Sequence, residues 1–166
     1  MSALAKRQAA ALRQSAARRE RHEQTLRATL AGQQGEWDAL RMQEQASVAQ
    51  IAELRARGAG YRARVEQMLS GREPFSIESF DMCRRYLDLL DEQIAAAQTV
   101  LDGQREAVAR MAGQIAESRA RIARNRVRID TCGSRITAIV ARLQQAADDA
   151  EDEEAEEAAI GRRHAR

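Results

Sequence analysis

Proline and aromatic residues are scarce in this sequence. Its 166 residues include one proline, and phenylalanine, tryptophan and tyrosine together make up 3%. Aromatic side chains contribute much of the buried area of ordinary cores, so this scarcity argues against a compact globular core. Ala, Arg, Glu and Gln are abundant instead, which is typical of long helices and coiled coils.

Long apolar runs are also missing. No stretch approaches the ~18 apolar residues that a membrane-spanning helix needs, and the first residues lack the apolar segment of a signal peptide. Cys83 and Cys132 are 49 positions apart, too far to be bridged within one helix. We expect both to be small core residues in a reducing cytoplasm, in a protein that is not embedded in a membrane.

Residue combinations typical of catalysis are missing as well. His22 and His164 lack cysteines or carboxylates at ligand spacing, and there is no glycine-rich phosphate loop or Ser/His/Asp arrangement. A helical hairpin also offers no concave pocket. The sequence therefore predicts no enzyme, no metal and no cofactor.

A heptad repeat occupies the second half of the chain. Large apolar residues stand at every seventh position, called a, and smaller residues stand at the d positions between them. This period places both sets on one narrow face of an α-helix, which needs a second helix to cover it. The a positions are Phe80, Leu87, Ile94, Leu101, Val108, Ile115, Ile122, Ile129, Ile136 and Leu143, and the d positions are Cys83, Leu90, Ala97, Gln104, Met111, Ser118, Asn125, Cys132 and Ile139.

A second heptad stripe lies in the first half. Nine of its thirteen core positions are large and apolar, which predicts one continuous helix, whereas residues 1–25 carry only a thin apolar face. These core positions are Leu26, Leu30, Gln33, Trp37, Leu40, Glu44, Ser47, Ile51, Leu54, Gly58, Tyr61, Val65 and Met68.

The only proline marks a turn between the two stripes, within residues 70–76. Gly71 suits the end of a helix, and Pro74 disfavours helix at the residue before it. Ser76 is a natural N-cap for the next helix. One short turn therefore reverses the chain.

Phe75 and Phe80 have the N′ to N4 spacing of a hydrophobic staple at the start of that helix. The predicted fold class is all-α, a single long antiparallel two-helix coiled-coil hairpin over residues 1–147. Its helices are expected at about 2–69 and 77–146.

A charged tail follows the hairpin. Residues 148–157 contain eight acidic side chains, and arginines follow them. This block repels itself and has no apolar stripe to bury. We expect residues 148–166 to be a solvated, disordered tail.

Basic side chains gather near the open end of the hairpin. A run of arginines, Arg119, Arg121, Arg124, Arg126 and Arg128, would fold back beside Arg18, Arg19 and Arg21. This basic collar is either a solvated face with ion pairs or a contact for an acidic protein surface. Nucleic acid is disfavoured, because aromatic residues are not interleaved and the acidic tail would oppose phosphates.

A two-helix hairpin of this size, with an Arg-, Gln- and Glu-rich surface, resembles the central-stalk proteins of type III secretion. These are the FliJ-like proteins of flagella and the YscO-like proteins of injectisomes. The resemblance covers about residues 1–145 and rests on architecture, size and composition. It implies a non-enzymatic stalk that inserts into a hexameric secretion ATPase and couples it to the export gate.

The resemblance also implies partners and a location. The protein would lie in the bacterial cytoplasm, peripheral at the inner-membrane secretion apparatus, and some members bind secretion chaperones. The hairpin tip would contact the cytoplasmic domain of the export-gate protein, through Phe75, Ile77, Phe80, Arg84 and Leu87. The basic collar would contact the ATPase ring, through Arg18, Arg19, Arg21, Arg121, Arg124 and Arg128.

Two alternatives stay open. The tip side chains could serve only the staple. The whole chain could be a structural or scaffolding coiled coil, or a secretion chaperone adaptor, with no ATPase partner.

The register of the two helices can also be predicted. In an antiparallel pair the numbers of facing residues have a nearly constant sum, and sums near 141, 148 and 155 fit a short turn. A sum of 148 best matches polar with polar residues and large with small ones. Its facing pairs are Trp37 with Met111 and Val108, Glu44 with Gln104, Gly58 with Leu90, and Glu23 with Asn125, with Arg19 one turn away.

Overall fold

Two long helices make up the part of the chain that the computed structural model describes, which is the backbone of residues 2–164 and the side chains of residues 3–158. Helix α1 spans Ser2–Leu69 and helix α2 spans Ile77–His164. No strand occurs among the described residues, so the all-α fold class is confirmed. Neither helix has, over these residues, a stretch apolar enough to cross a membrane.

The chain divides into two compact units. Unit 1 comprises Met1–Leu30 and Glu117–Arg166, and unit 2 comprises Ala31–Ala116. Each unit pairs a segment of α1 with a segment of α2, and in each the facing residue numbers rise along one helix and fall along the other. The pairing is therefore antiparallel, as a helical hairpin requires.

Burial follows the heptad positions in both helices. Every predicted a and d position of α2 from Phe80 to Leu143 is buried or half-buried, and so is every predicted core position of α1. The 3–4 spacing also continues toward the start of α1, where Ala9 is 3% exposed. Ala9 therefore contributes to the interface between the helices, whereas Leu4, on the same thin apolar face, is 66% exposed.

Contacts in unit 2 fix its register. A Cβ built on Gly58 would lie 3.9 Å from Leu90 Cδ1, and the Tyr61 and Tyr86 ring centroids are 4.5 Å apart. The residue numbers of these two facing pairs have sums close to 148. The alternative registers, with sums near 141 and 155, are therefore excluded in unit 2. Leu90 is 1% exposed, and burying such a side chain stabilises the fold by ~1.5–3 kcal/mol.

Polar groups in the unit 2 interface are arranged differently from the prediction. Glu44 forms an ion pair, at 3.5 Å, with Arg105, the residue that follows its predicted partner Gln104. The buried Oε1 of Gln104 and the buried Nε1 of Trp37 make no hydrogen bond among the described residues. The Trp37 ring instead lies under the guanidinium of Arg41, 4.9 Å from its Cζ. The contact of Trp37 with Met111 stays a prediction.

A buried amide links the helices of unit 1. Asn125 is 6% exposed, and its Nδ2 donates to the backbone carbonyl of Arg19 at 3.0 Å. The predicted partner, Glu23, forms an ion pair with Arg27 in its own helix at 2.6 Å. Asn125 thus meets the expected segment of α1, but its hydrogen bond is to the backbone of Arg19, one turn away from Glu23.

Helix α2 does not end near residue 146, as the sequence suggested, but continues to His164. Alanine and glutamate have high helix propensity, and Gln144 Nε2 donates to Asp148 Oδ1 at 2.9 Å across one turn. Residues 144–158 are exposed, although Ala146 and Ala147 still line a groove with Leu4 and Ala5 of α1. The predicted tail also included residues 165–166, which lie outside the described residues.

Candidate functional site

Helix α1 ends in a Schellman motif at the hairpin tip, in unit 2. The backbone N–H of Arg72 donates to the carbonyl of Gln67 at 3.0 Å, and that of Gly71 donates to Met68 at 3.4 Å. Gly71 has φ +72°, a conformation that glycine adopts without a Cβ clash. The chain therefore leaves α1 in a fixed direction.

Helix α2 begins with the expected cap and staple. The N–H of Ser79 donates to Ser76 Oγ at 3.4 Å, and the N–H of Phe80 donates to the Ser76 carbonyl at 2.9 Å. The Phe75 and Phe80 ring centroids are 5.8 Å apart. The predicted N-cap and the predicted hydrophobic staple are both confirmed. A cap of this kind contributes about 1 kcal/mol to the stability of the protein.

The five predicted tip residues differ in their accessibility. Phe75 is 58% exposed and Ile77 is 69% exposed, and Arg84 is exposed too. Phe80 and Leu87 are half-buried, because a positions face α1. Three of the five are thus exposed to solvent, while Phe80 and Leu87 are partly covered.

Two exposed apolar residues near the tip were missing from the prediction. Met82 is 60% exposed and Leu89 is 46% exposed. They line a shallow depression on α2 with Glu78, Asp81, Arg85 and Tyr86. Met82 and Leu89 are seven residues apart and occupy neither a nor d positions. The sequence therefore already indicated that they share an outer face of α2.

The predicted ring-contact arginines all lie in unit 1. Arg18, Arg21, Arg121, Arg124 and Arg128 are exposed, whereas Arg19 is half-buried in the interface between the helices. The hydrogen bond between Asn125 and the Arg19 carbonyl brings the two clusters together. Arg121 Nε also donates to Glu117 Oε1 at 3.2 Å.

Acidic side chains interrupt this basic collar on one flank. Glu20, Glu23 and Arg27 of α1 line a groove there with Arg126 and Asp130 of α2. Ion pairing on this flank is local, as expected for a solvated face. The basic collar is therefore mixed with acidic side chains on this flank.

Among the described residues, no group of three or more His, Cys, Asp or Glu side chains is placed to hold a metal ion. The pKa of Arg57 is raised by its hydrogen bond to Glu53 and by the charge of that carboxylate, with a smaller contribution from Tyr86. Arg57 is therefore an exposed cation on α1.

A family model matches segments of the chain that belong to both units. The model of a family described as bacterial type III secretion protein (HrpB7) matches residues 7–163 of this chain. No curated protein and no solved structure matches the chain.

Proposed function

Because the chain belongs to the HrpB7 family of bacterial type III secretion proteins, a FliJ-like family, we propose that it is the central stalk of a type III secretion system. In this role it inserts into the hexameric secretion ATPase and couples it to the export gate without catalysing a reaction itself. It works in the bacterial cytoplasm, peripheral to the inner-membrane secretion apparatus.

The observation that carries this proposal is the family match over two long paired helices. A stalk must present its contacts on the outside of a helical scaffold, since it has no concave site of its own. In unit 1, Arg18, Arg124 and Arg128 are exposed and form no ion pair among the described residues. They are free to meet acidic side chains of an ATPase ring.

The tip supports the second contact of the proposed stalk. Phe75 and Ile77 are exposed, yet the Schellman motif and the Ser76 cap hold the backbone on either side of them. Apolar side chains on a rigid backbone lose little entropy on binding. They suit a contact with the cytoplasmic domain of the export-gate protein.

Co-elution with the cognate secretion ATPase, together with its rate of ATP hydrolysis, tests the proposal. We expect the full chain to bind the ATPase and to stimulate hydrolysis. The double variant Arg124→Glu/Arg128→Glu should lose both effects. The matched variant Arg55→Glu/Arg110→Glu, with the same charge change in unit 2, should retain them. If the chain does not bind the ATPase and leaves the rate of ATP hydrolysis unchanged at micromolar protein, the proposal is contradicted.

A scaffolding coiled coil is the second candidate function. Exposed apolar residues along α2 of unit 2, namely Met82, Leu89 and Val100, favour lateral association between copies. Light scattering on the purified chain separates the two functions. A monomer at micromolar concentration supports the stalk, whereas a stable tetramer or filament supports the scaffold. A secretion chaperone adaptor would instead bind a chaperone without the ATPase.

A further inference from the structure

Four exposed arginines follow one flank of α2 in unit 1. They are seven residues apart, which is two helical turns, so they form one line parallel to the helix with a repeat of ~10.5 Å. We call these residues, Arg121, Arg128, Arg135 and Arg142, the arginine row.

The facing part of α1 adds no negative charge to this flank. Gln8 and Ala11 of α1 line one groove with Arg135 and Arg142, which shows that they share a flank. Positions three and four residues further along α1 continue the same flank. These are Ser15, Arg18, His22 and Thr25, none of which is acidic.

Few ion pairs neutralise the arginine row. Glu117 pairs with Arg121, and the other three arginines form no ion pair among the described residues. The opposite flank has the mixed groove described above, with Glu20, Asp130 and Arg126. The positive charge is therefore one-sided, and it extends beyond the predicted collar to Arg135 and Arg142.

An apolar groove lies beside the last two arginines of the row. Arg135 and Arg142 line it together with Leu12, Ala138 and Ile139. A ligand in this groove would meet both apolar side chains and guanidinium groups. Such an arrangement suits an elongated partner with one apolar and one acidic face.

We propose that the arginine row docks an acidic amphipathic α-helix of a partner protein. That helix lays apolar side chains in the groove and places Asp or Glu side chains, seven residues apart, against the row. This inference goes beyond the stalk function, because it assigns the partner's secondary structure and chemistry and includes Arg135 and Arg142.

Spacing decides in favour of a helix. Carboxylates seven residues apart on an α-helix repeat at the same ~10.5 Å as the arginines. Side chains on one face of an extended strand repeat at ~6.8 Å, and duplex DNA carries a charge every ~1.7 Å. Among these three ligands, only a helix places one carboxylate opposite each successive arginine of the row.

The chain's own acidic segment cannot be the ligand within one molecule. Residues 148–157 continue α2 itself, which is helical to His164. They lie on the same helix as the row and past its last arginine, so they do not fold back onto it. A second copy could still supply this segment, and the experiment must separate that case.

Fluorescence anisotropy with the full chain tests the proposal. The probe is a labelled four-heptad synthetic helix with Glu at one heptad position and Leu and Ala on the adjoining face. Arg128→Glu/Arg135→Glu should weaken its binding at least about tenfold, since two of four charge pairs become repulsive. Arg119→Glu/Arg126→Glu, an equal charge change on the other flank, should alter it by less than about twofold.

Several results would overturn the proposal. These are equal weakening by the two double variants, equal binding of a probe with Lys in place of Glu, and tighter binding of a short DNA duplex. A dimer of the full chain that Arg128→Glu/Arg135→Glu converts to monomer would assign the row to a second copy instead. Circular dichroism establishes that each variant is folded. Failure of the ATPase experiment would leave this probe measurement unaffected.

Discussion

Asn125 is a buried amide in the interface between the helices of unit 1, where an apolar residue would pack at least as well. Its hydrogen bond to the Arg19 carbonyl is satisfied only in one register. A single polar residue in a heptad core commonly specifies register at a cost in stability.

Asn125→Leu should therefore raise the free energy of unfolding by about 1 kcal/mol. It should also let the purified chain populate other pairings, seen as added species in light scattering. Gln145→Leu, at an exposed position, is the control and should change neither measurement. A marked loss of stability in Asn125→Leu would show that the amide chiefly stabilises the fold.

Phe80 and Arg72 both lie near the tip but differ in burial. Phe80 is half-buried against Phe75, whereas Arg72 is exposed. Phe80→Asp should lower the free energy of unfolding by ~2–3 kcal/mol, because a carboxylate loses water there without gaining a partner. Arg72→Ala should cost less than about 0.5 kcal/mol. Equal midpoints of urea unfolding for the two variants would show that the tip is inert.

The turn between α1 and α2 was the most predictable element, because its signals are local. A glycine at the end of one helix, a proline within the loop and a serine before the next helix each act on the backbone around them. The helix end near residue 146 was wrong, since the loss of the apolar stripe was taken as the end of the helix. In residues 148–158, which are exposed, high helix propensity continues α2 without an apolar stripe.

Glycine substitutions test the backbone at the turn. Gly71→Ala should destabilise the protein by ~1–2 kcal/mol, because φ +72° brings a Cβ too close to the following carbonyl oxygen. Gly60→Ala is the matched control, as Gly60 lies within α1 with nothing within 4 Å of an added Cβ. It should stabilise the protein by up to ~1 kcal/mol. Urea unfolding of both variants measures the difference.

The helical extension after the paired region should contribute little to stability. Residues 148–158 are helical but exposed, so their removal uncovers no apolar surface. Deletion of residues 148–166 should leave the melting temperature within about 1 °C. A drop of several degrees would mean that this segment docks on another part of the protein.

At the scale of the whole molecule, the fold class followed from the heptad periodicity, since such a pattern over so many turns has few other solutions. The family was suggested only by a resemblance in architecture, size and composition. The two helices confirm the fold class, and the family match confirms the family. The candidate surfaces were harder to predict. Exposure depends on which flank α1 covers, and two of the predicted contact residues, Leu87 and Arg19, are half-buried. The proposed arginine row also includes Arg135 and Arg142, whose seven-residue spacing is visible in the sequence but was not part of the prediction.

Salt should separate the forces that hold the fold from those that bind a partner. The ion pairs Arg27–Glu23 and Arg110–Glu106 join exposed arginines to residues one turn away, and such pairs contribute ~0.3–0.5 kcal/mol each. The heptad interface is mostly apolar and insensitive to screening. Raising NaCl from about 50 to about 500 mM should therefore shift the melting temperature by only a few degrees.

Binding at the arginine row should respond to the same change much more strongly. Its charges are exposed and attract a partner through water, where the screening length shortens from ~14 to ~4 Å over this range. Affinity for the acidic helical probe should fall at least about tenfold while the helical signal in circular dichroism persists. A melting temperature that falls in step with affinity would mean that ion pairs, rather than the apolar interface, hold the helices together.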